Sequence, residues 1–84
     1  MNEQDIKAII RTFILNEFLP GEDPAELTDT TALVTTGILD SIAVLKAVSF
    51  LENQFGIVLH PHEAVVENLN TLSDMARLVI SKKA

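Results

Sequence analysis

Apolar side chains recur three and four residues apart in this chain, which is the spacing of one face of an α-helix. The clearest stretch lies near the N-terminus and contains Ile6, Ile9, Ile10, Phe13, Ile14 and Phe18. Asn2 can cap the start of this helix, and Pro20-Gly21 ends it, because proline disfavours helical geometry in the residue before it. No stretch alternates apolar and polar residues as a β-strand does. The pattern therefore predicts an all-α fold.

A second and a third helix are predicted from residues that typically end or begin helices. The second is predicted from about Ser41 to Phe55, because Gly56 stands where a left-handed residue closes a helix, and Ile57 can pack back onto it. The third is predicted from His60-Pro61 to about Glu67, since proline suits the first helical position.

A fourth helix is predicted near the C-terminus, opened by a sequence that resembles a capping box, Thr71-Leu72-Ser73-Asp74. Its predicted apolar face comprises Leu72, Met75, Ala76, Val79 and Ile80. Lys82 and Lys83 near its end suit the negative pole of the helix dipole.

Residues 21–40 show no sustained periodicity and are rich in Thr, Asp, Gly and Pro. We expect a long, ordered loop that is pinned to the core by apolar residues, namely Leu27, Leu33, Val34, Ile38 and Leu39. A chain of 84 residues, 48% of them hydrophobic, can bury one modest core. The prediction is a single domain over 1–84, a small irregular four-helix bundle with a long loop between helices 1 and 2.

The net charge of −6 argues against nucleic acid and anionic membranes as partners, because both would repel an acidic surface. Residues 21–40 contain no basic residue and carry Glu22, Asp23, Glu26, Asp29 and Asp40. This acidic stretch is either a solvated loop that keeps the protein soluble or a docking surface for basic partners.

Cysteine is absent, so the chain itself offers no disulfide, no thiolate metal ligand and no nucleophilic thiol. Apolar runs are too short to span a membrane, and the N-terminus lacks the pattern of a signal peptide. The expectation is a cytoplasmic monomer without a membrane span.

The second helix has one broad apolar arc, predicted to be buried, that holds Ala43, Val44, Ala47, Val48, Phe50, Leu51 and Phe55. The opposite arc holds Ile42, Leu45, Lys46, Ser49, Glu52 and Asn53. Exposed apolar residues such as Ile42 and Leu45 can mark a docking surface. The alternative is that the long loop folds over them.

Ser41 is predicted at the head of the second helix, where unpaired amide groups and the helix dipole favour a bound anion. A phosphate ester would suit this position. On spacing alone, however, a serine at a helix start is in most cases an ordinary helix cap or an exposed hydroxyl, so the position by itself does not establish an attachment site.

Two sequence motifs give more specific information about function. The first is Gly37-Ile38-Leu39-Asp40-Ser41-Ile42, and the second is Leu51-Glu52-Asn53-Gln54-Phe55-Gly56-Ile57. Together they resemble the signature of acyl carrier proteins, in which Asp-Ser-Leu begins helix 2 and a Glu-rich segment ending in Phe-Gly closes it. The resemblance extends over nearly the whole chain, including a Thr-Leu-x-Asp element at helix 4.

The resemblance implies that Ser41 receives 4′-phosphopantetheine from coenzyme A through a phosphopantetheinyl transferase, with Asp40 supporting recognition. The arm would bring the thiol that the chain lacks, and the protein would tether acyl intermediates without being an enzyme itself. Its implied partners are that transferase, an acyl- or aminoacyl-activating ligase, and the synthases or transferases of a pathway.

The chain departs from members that serve fatty acid synthesis, which usually carry several acidic residues along helix 2. Here the corresponding positions hold Ala43, Lys46, Asn53 and Gln54, and Ile42 replaces the usual Leu. We therefore expect a specialised carrier, with Ile42, Leu45 and Lys46 forming its partner surface. General fatty acid synthesis and an aminoacyl or peptidyl carrier of the same fold are the alternatives.

Residues of this chain also bear on three other classes of function. Ser41 with Asp40 and His60 or His62 would form a hydrolase triad, but no glycine-flanked nucleophile elbow surrounds Ser41. A metal site from His60, His62 and Glu63 lacks a second ligand cluster. A helical adaptor without a prosthetic group would share the core pattern.

Overall fold

The computed structural model describes residues 1–83, in which the regular structure is helical and no strand occurs. The helices are α1 (Glu3–Phe18), α2 (Ser41–Phe55), α3 (Val66–Leu69) and α4 (Leu72–Lys83), with a short 3₁₀ turn at Pro24–Glu26. The main contacts between helices join α1 to α4, α3 to α4 and α1 to α2. The predicted all-α bundle of four helices is confirmed.

The first helix begins where Asn2 caps it, because the Asn2 side-chain oxygen accepts the Asp5 backbone N–H at 2.8 Å. Its buried face is a stripe of three isoleucines spaced four apart, Ile6, Ile10 and Ile14. The remaining predicted core residues of this helix, Ile9, Phe13 and Phe18, are half-buried.

The second helix ends as predicted at Gly56, which adopts the left-handed conformation at φ 65°. Ile57 beyond it is buried, and Lys83 Nζ donates to the free Phe55 carbonyl at 3.0 Å. Lys83 therefore satisfies the end of α2 in addition to suiting its own helix. The buried residues of α2 are Ala43, Ala47, Leu51 and Phe55. The rest of the predicted arc, Val44, Val48 and Phe50, is half-buried.

The third helix is shorter and later than predicted. His60 O accepts from the N–H groups of Glu63 and Ala64, which makes one isolated turn. Val65 is then extended, at φ −118° and ψ 162°, so the chain restarts as α3 only at Val66. The interruption falls where two β-branched residues, Val65 and Val66, are adjacent, and such residues form helices less readily.

The fourth helix opens where Thr71 Oγ1 accepts the Asp74 backbone N–H at 3.0 Å, which is one half of the predicted capping box. The predicted face is buried except for Ile80, which is 38% exposed. Leu78 is buried in its place. Because α4 packs against both α1 and α3, its buried arc extends beyond the single face that the spacing indicated.

The long loop between α1 and α2 is anchored along its length, as predicted. Leu27, Leu33 and Leu39 are at most 1% exposed, while Val34 and Ile38 are half-buried. A polar anchor adds to them at Asp29, whose carboxylate pairs with Lys7 Nζ at 3.2 Å and whose carbonyl accepts the Ser73 N–H at 3.1 Å. Asp29 thus ties the loop to α1 and to α4.

Candidate functional site

Ser41 is the first residue of α2 and is exposed. The residue before it, Asp40, caps the helix, because Asp40 Oδ1 accepts the Ala43 backbone N–H at 2.8 Å. The serine hydroxyl is therefore not needed as a cap, and within residues 1–83 it takes part in no hydrogen bond. An uncommitted hydroxyl at an exposed helix start is open to covalent modification.

The approach to Ser41 is a tight loop. The Gly37 N–H donates to Val34 O at 3.1 Å, and the Leu39 N–H returns to Leu33 O at 2.9 Å. Gly37 has a φ of 83°, a left-handed value that glycine adopts at no steric cost. This closed turn, followed by the buried Leu39 side chain, delivers Asp40 and Ser41 to the start of α2.

The start of α2 fits a phosphate ester at Ser41. The backbone N–H groups of the first helical residues have no partner inside the helix, and the helix dipole places partial positive charge there. Asp40 uses the Ala43 N–H, while those of Ser41 and Ile42 form no hydrogen bond within the described chain. Two amide donors therefore remain beside the serine hydroxyl for an anionic group.

An apolar surface follows Ser41 along α2. Ile42 and Leu45 are each 68% exposed, so the loop does not fold over them, and that alternative is wrong. Lys46 is also exposed and forms no ion pair within residues 1–83. These side chains lie in a shallow groove of about 480 Å³ whose floor includes Phe13 and Phe50 of the facing helices.

A second groove of about 510 Å³ continues between α1 and α2 from the same two phenylalanines. Their rings stack with centroids 4.0 Å apart and an angle of 10° between planes. The spacing of apolar residues predicted both rings to be core. Both rings are instead half-buried and line the grooves between α1 and α2.

The two histidines are remote from Ser41. The Leu59 N–H donates to Glu52 Oε2 at 2.9 Å, so this segment is held beside Glu52, about 16 Å along α2 from Ser41. His60 and His62 are exposed, with parallel rings 5.9 Å apart. His60 contributes no side-chain cap to α3. The hydrolase triad is therefore not assembled.

Glu63 is committed to a structural role. Its carboxylate accepts the His60 backbone N–H at 3.0 Å and pairs with Lys82 Nζ at 2.9 Å. The His60 N–H, and after it Lys82, hold the pKa of Glu63 below its ordinary value. Among the described residues, no group of three or more acidic or histidine side chains is arranged to hold a metal ion.

Asn70, between α3 and α4, contacts the Ser41 loop and was not anticipated from the sequence. Its side-chain oxygen accepts the N–H groups of Val34 at 2.9 Å and Thr35 at 3.1 Å. Its backbone carbonyl accepts the Leu33 N–H at 2.7 Å. The available signal was a polar residue close to the apolar Leu69 and Leu72, which indicates a buried polar contact without naming its partner.

Comparison with known proteins identifies the class. Residues 14–79 match the family model described as "Phosphopantetheine attachment site". That match covers most of the chain, which therefore belongs to the phosphopantetheine-binding carrier family. Members of this family carry a covalently attached 4′-phosphopantetheine. Carrier domains of this kind are not catalytic themselves and work with phosphopantetheinyl transferases and pathway enzymes.

A solved structure described as "Structure of KstB-PCP(apo)", a peptidyl carrier protein, is similar to this chain. The two share 26% identity and superpose with a TM-score of 0.73, over 99% of this chain and 91% of the other. No curated protein matches the sequence significantly. No helix among the described residues is long and apolar enough to cross a membrane.

Proposed function

We propose that Ser41 is the attachment residue and that 1–84 is a single carrier domain, serving as an acyl carrier in a specialised biosynthetic pathway. The main observation behind the proposal is that Asp40 and Ser41 have different roles at the start of α2. Asp40 caps the helix through the Ala43 N–H, which leaves the exposed Ser41 hydroxyl without a structural role. The family assignment supplies the cofactor that such a hydroxyl would accept.

When bound, 4′-phosphopantetheine supplies the thiol that holds an acyl group as a thioester. The chain's own residues orient and present it. Asp40 fixes the helix start through the Ala43 N–H, and the free amides of Ser41 and Ile42 would remain as donors to the phosphate of the group. Tethering raises the effective concentration of a bound intermediate at each partner in turn. In this proposal the carrier is a cytoplasmic monomer.

The proposed partner surface consists of Asp40, Ile42, Leu45 and Lys46. Asp40 would serve recognition by the transferase, and the two exposed apolar side chains would dock onto an activating ligase or a synthase. Lys46 adds a positive charge where members that serve fatty acid synthesis often present a carboxylate. This departure supports a dedicated partner set in preference to general fatty acid synthesis.

An aminoacyl or peptidyl carrier is the second candidate. It is favoured by the likeness to a peptidyl carrier protein over almost the full length of both chains. Intact-protein mass spectrometry of the carrier isolated from its source distinguishes the two, because the mass of the attached group identifies an acyl or an aminoacyl cargo. The family match argues against an adaptor that lacks a prosthetic group.

The test of attachment is a loading reaction with coenzyme A, magnesium and a broad-specificity phosphopantetheinyl transferase. The wild type should gain the mass of one phosphopantetheine, and Ser41→Ala should gain none. Ser49→Ala is the matched control, because Ser49 is also exposed on α2 and should not affect loading. Modification of Ser41→Ala, or no modification of the wild type, would refute the proposal.

A further inference from the structure

Asn70 lies between α3 and α4, and its side chain forms hydrogen bonds to the loop before Ser41. Among the side-chain hydrogen bonds of residues 1–83, no other residue of this junction reaches that loop. Asn70 is half-buried and follows the last residue of α3. Besides the N–H groups of Val34 and Thr35, its Oδ1 accepts the Thr35 hydroxyl at 3.4 Å. One oxygen therefore satisfies consecutive amides of an irregular segment, which regular secondary structure cannot do.

The path from Asn70 to Ser41 is short. The Asn70 carbonyl holds Leu33, whose own carbonyl accepts the Leu39 N–H at 2.9 Å. Leu39 immediately precedes Asp40, the cap of α2. The segment between them closes on itself through the Gly37 turn, so fixing its first residues also fixes the residues that enter the helix.

We infer that Asn70 is a positioning residue for phosphopantetheine transfer: its side-chain oxygen holds Val34 and Thr35 and, together with its backbone carbonyl on Leu33, orders residues 33–39, which holds Asp40 and Ser41 in the geometry that the transferase recognises. The inference rests on the proposed attachment at Ser41. A loop that samples several conformations presents the competent one for only a fraction of the time, and the apparent affinity of the transferase falls by that fraction.

The chemistry of the contact provides a conservative variant. The bonds that the Asn70 side chain makes to the loop use only its oxygen as acceptor, and its side-chain nitrogen Nδ2 forms no hydrogen bond within residues 1–83. Asn70→Asp keeps an acceptor of the same shape, and its charge is tolerated just before the positive start of α4. Asn70→Ala removes the acceptor and leaves two loop amides without a partner.

The experiment measures kcat/KM for loading by mass spectrometry at a temperature where circular dichroism shows each variant fully folded. Asn70→Ala should lose about tenfold in kcat/KM, since unpaired amides disfavour the ordered loop. Asn70→Asp should stay near the wild-type value. Asn68→Ala is the matched control: Asn68 lies two residues earlier, on α3, but its side-chain amide donates to Glu63 O at 2.9 Å and not to the loop.

Amide hydrogen exchange provides a second readout that does not depend on loading. In the wild type, Val34 and Thr35 should exchange more slowly than Thr30, an exposed loop residue whose N–H forms no hydrogen bond within residues 1–83. This protection should disappear in Asn70→Ala and return in Asn70→Asp. If Asn70→Ala does not fold, wild-type exchange decides, and equal rates at Thr35 and Thr30 overturn the inference.

The outcomes separate this inference from the proposed function. Equal loading of Asn70→Ala and wild type overturns the positioning role while Ser41 remains the attachment residue. Equal loss in Asn70→Ala and Asn70→Asp also overturns it, because the oxygen acceptor would then not be the cause. Loading of Ser41→Ala refutes the attachment residue itself and leaves the exchange result for Asn70 unaffected.

Discussion

At the scale of single residues, two neighbours at the start of α2 have separate tasks. A serine at this position is often itself the helix cap, and removing a cap typically costs about 1 kcal/mol. Here the cap is Asp40, so removing the Ser41 hydroxyl should leave the free energy of unfolding almost unchanged. Loss of loading in Ser41→Ala can therefore be attributed to the missing attachment atom and not to a damaged helix.

Glu63 gives the protein a predicted acid sensitivity. Its pKa is lowered in the folded state by the His60 backbone N–H and by Lys82. A carboxyl with a depressed folded pKa contributes stability above its unfolded pKa, and this contribution is lost as the pH falls through the folded pKa. The free energy of unfolding should therefore fall as the pH is lowered below about 4.5, and Glu63→Gln should make that fall shallower.

Urea unfolding at a series of pH values checks this prediction. Glu67→Gln is the control, because Glu67 is exposed and forms no ion pair within the described residues, so its pH profile should parallel the wild type. Equal slopes for Glu63→Gln and the wild type would show that the Lys82 pair does not survive in solution.

Residue roles were predictable from the sequence where the contact is local. Ser41 was expected at the head of α2 because the motif adjoins that helix in the sequence, whereas the sequence did not assign the cap to Asp40, which the structure shows. Asn70 lies 35 residues from Thr35 along the chain, and neither segment carries a pattern that names the other. A single sequence does not encode such a pairing in readable form, which is why the Asn70 contact was missed.

At the scale of elements, a substitution of Phe55 can test which face of α2 is buried. This side chain is 6% exposed in the core, and its ring meets Phe50 edge to face with centroids 6.5 Å apart. Phe55→Ala should lower the free energy of unfolding by about 3–5 kcal/mol, which is most of the stability of a small domain. Phe13→Ala should cost less, because Phe13 is half-buried at the groove. Equal costs in urea unfolding would contradict the assigned burial.

Helix boundaries were likewise predictable where the residues that set them are close in sequence, and not where they are distant. The limits of α1, α2 and α4 were predictable because Asn2, Gly56 and Thr71 act within a few residues of the helix end that they satisfy. The third helix was misplaced, since Pro61 starts a turn that ends at the extended Val65. That turn is held partly by Lys82, a residue of α4 that the local pattern does not include.

At the scale of the whole molecule, the long loop completes the core. Its three buried leucines belong to the same apolar cluster as the buried faces of α1, α2 and α4. Asp29 and Asn70 then tie it to the helices by polar contacts at two points. The loop is therefore a structural part of the bundle, and the apolar residues predicted to anchor it were sufficient to indicate this. The polar ties were not predictable, because each joins segments far apart in sequence.

The surface charge of the molecule is uneven. The loop residues 21–40 hold five acidic residues and no basic one, whereas the exposed arc of α2 presents Lys46 one turn beyond Ser41. A partner that docks on α2 therefore meets a positive charge beside the apolar Ile42 and Leu45. Charge near an interface mainly sets the association rate and the choice of partner. Lys46 is thus the position at which partner choice is most directly testable.

Lys46→Glu should weaken loading by the native activating ligase and improve use by enzymes of general fatty acid synthesis. The physical reason is that a dedicated partner would offer an acidic or neutral surface here, and a reversed charge repels the former. Lys46→Gln, which removes the charge without reversing it, should give an intermediate rate. The measurement is the steady-state rate of the wild type and of each variant with each partner set, at low and high salt. The difference between them should arise mainly from the association rate and should shrink as salt screens the charge.

Folding stability should change little, because Lys46 is exposed and unpaired among the described residues. If neither partner set responds to the reversal, Lys46 is only a solvated side chain and the specialised partner surface is refuted, while the attachment at Ser41 is judged separately by its own loading test.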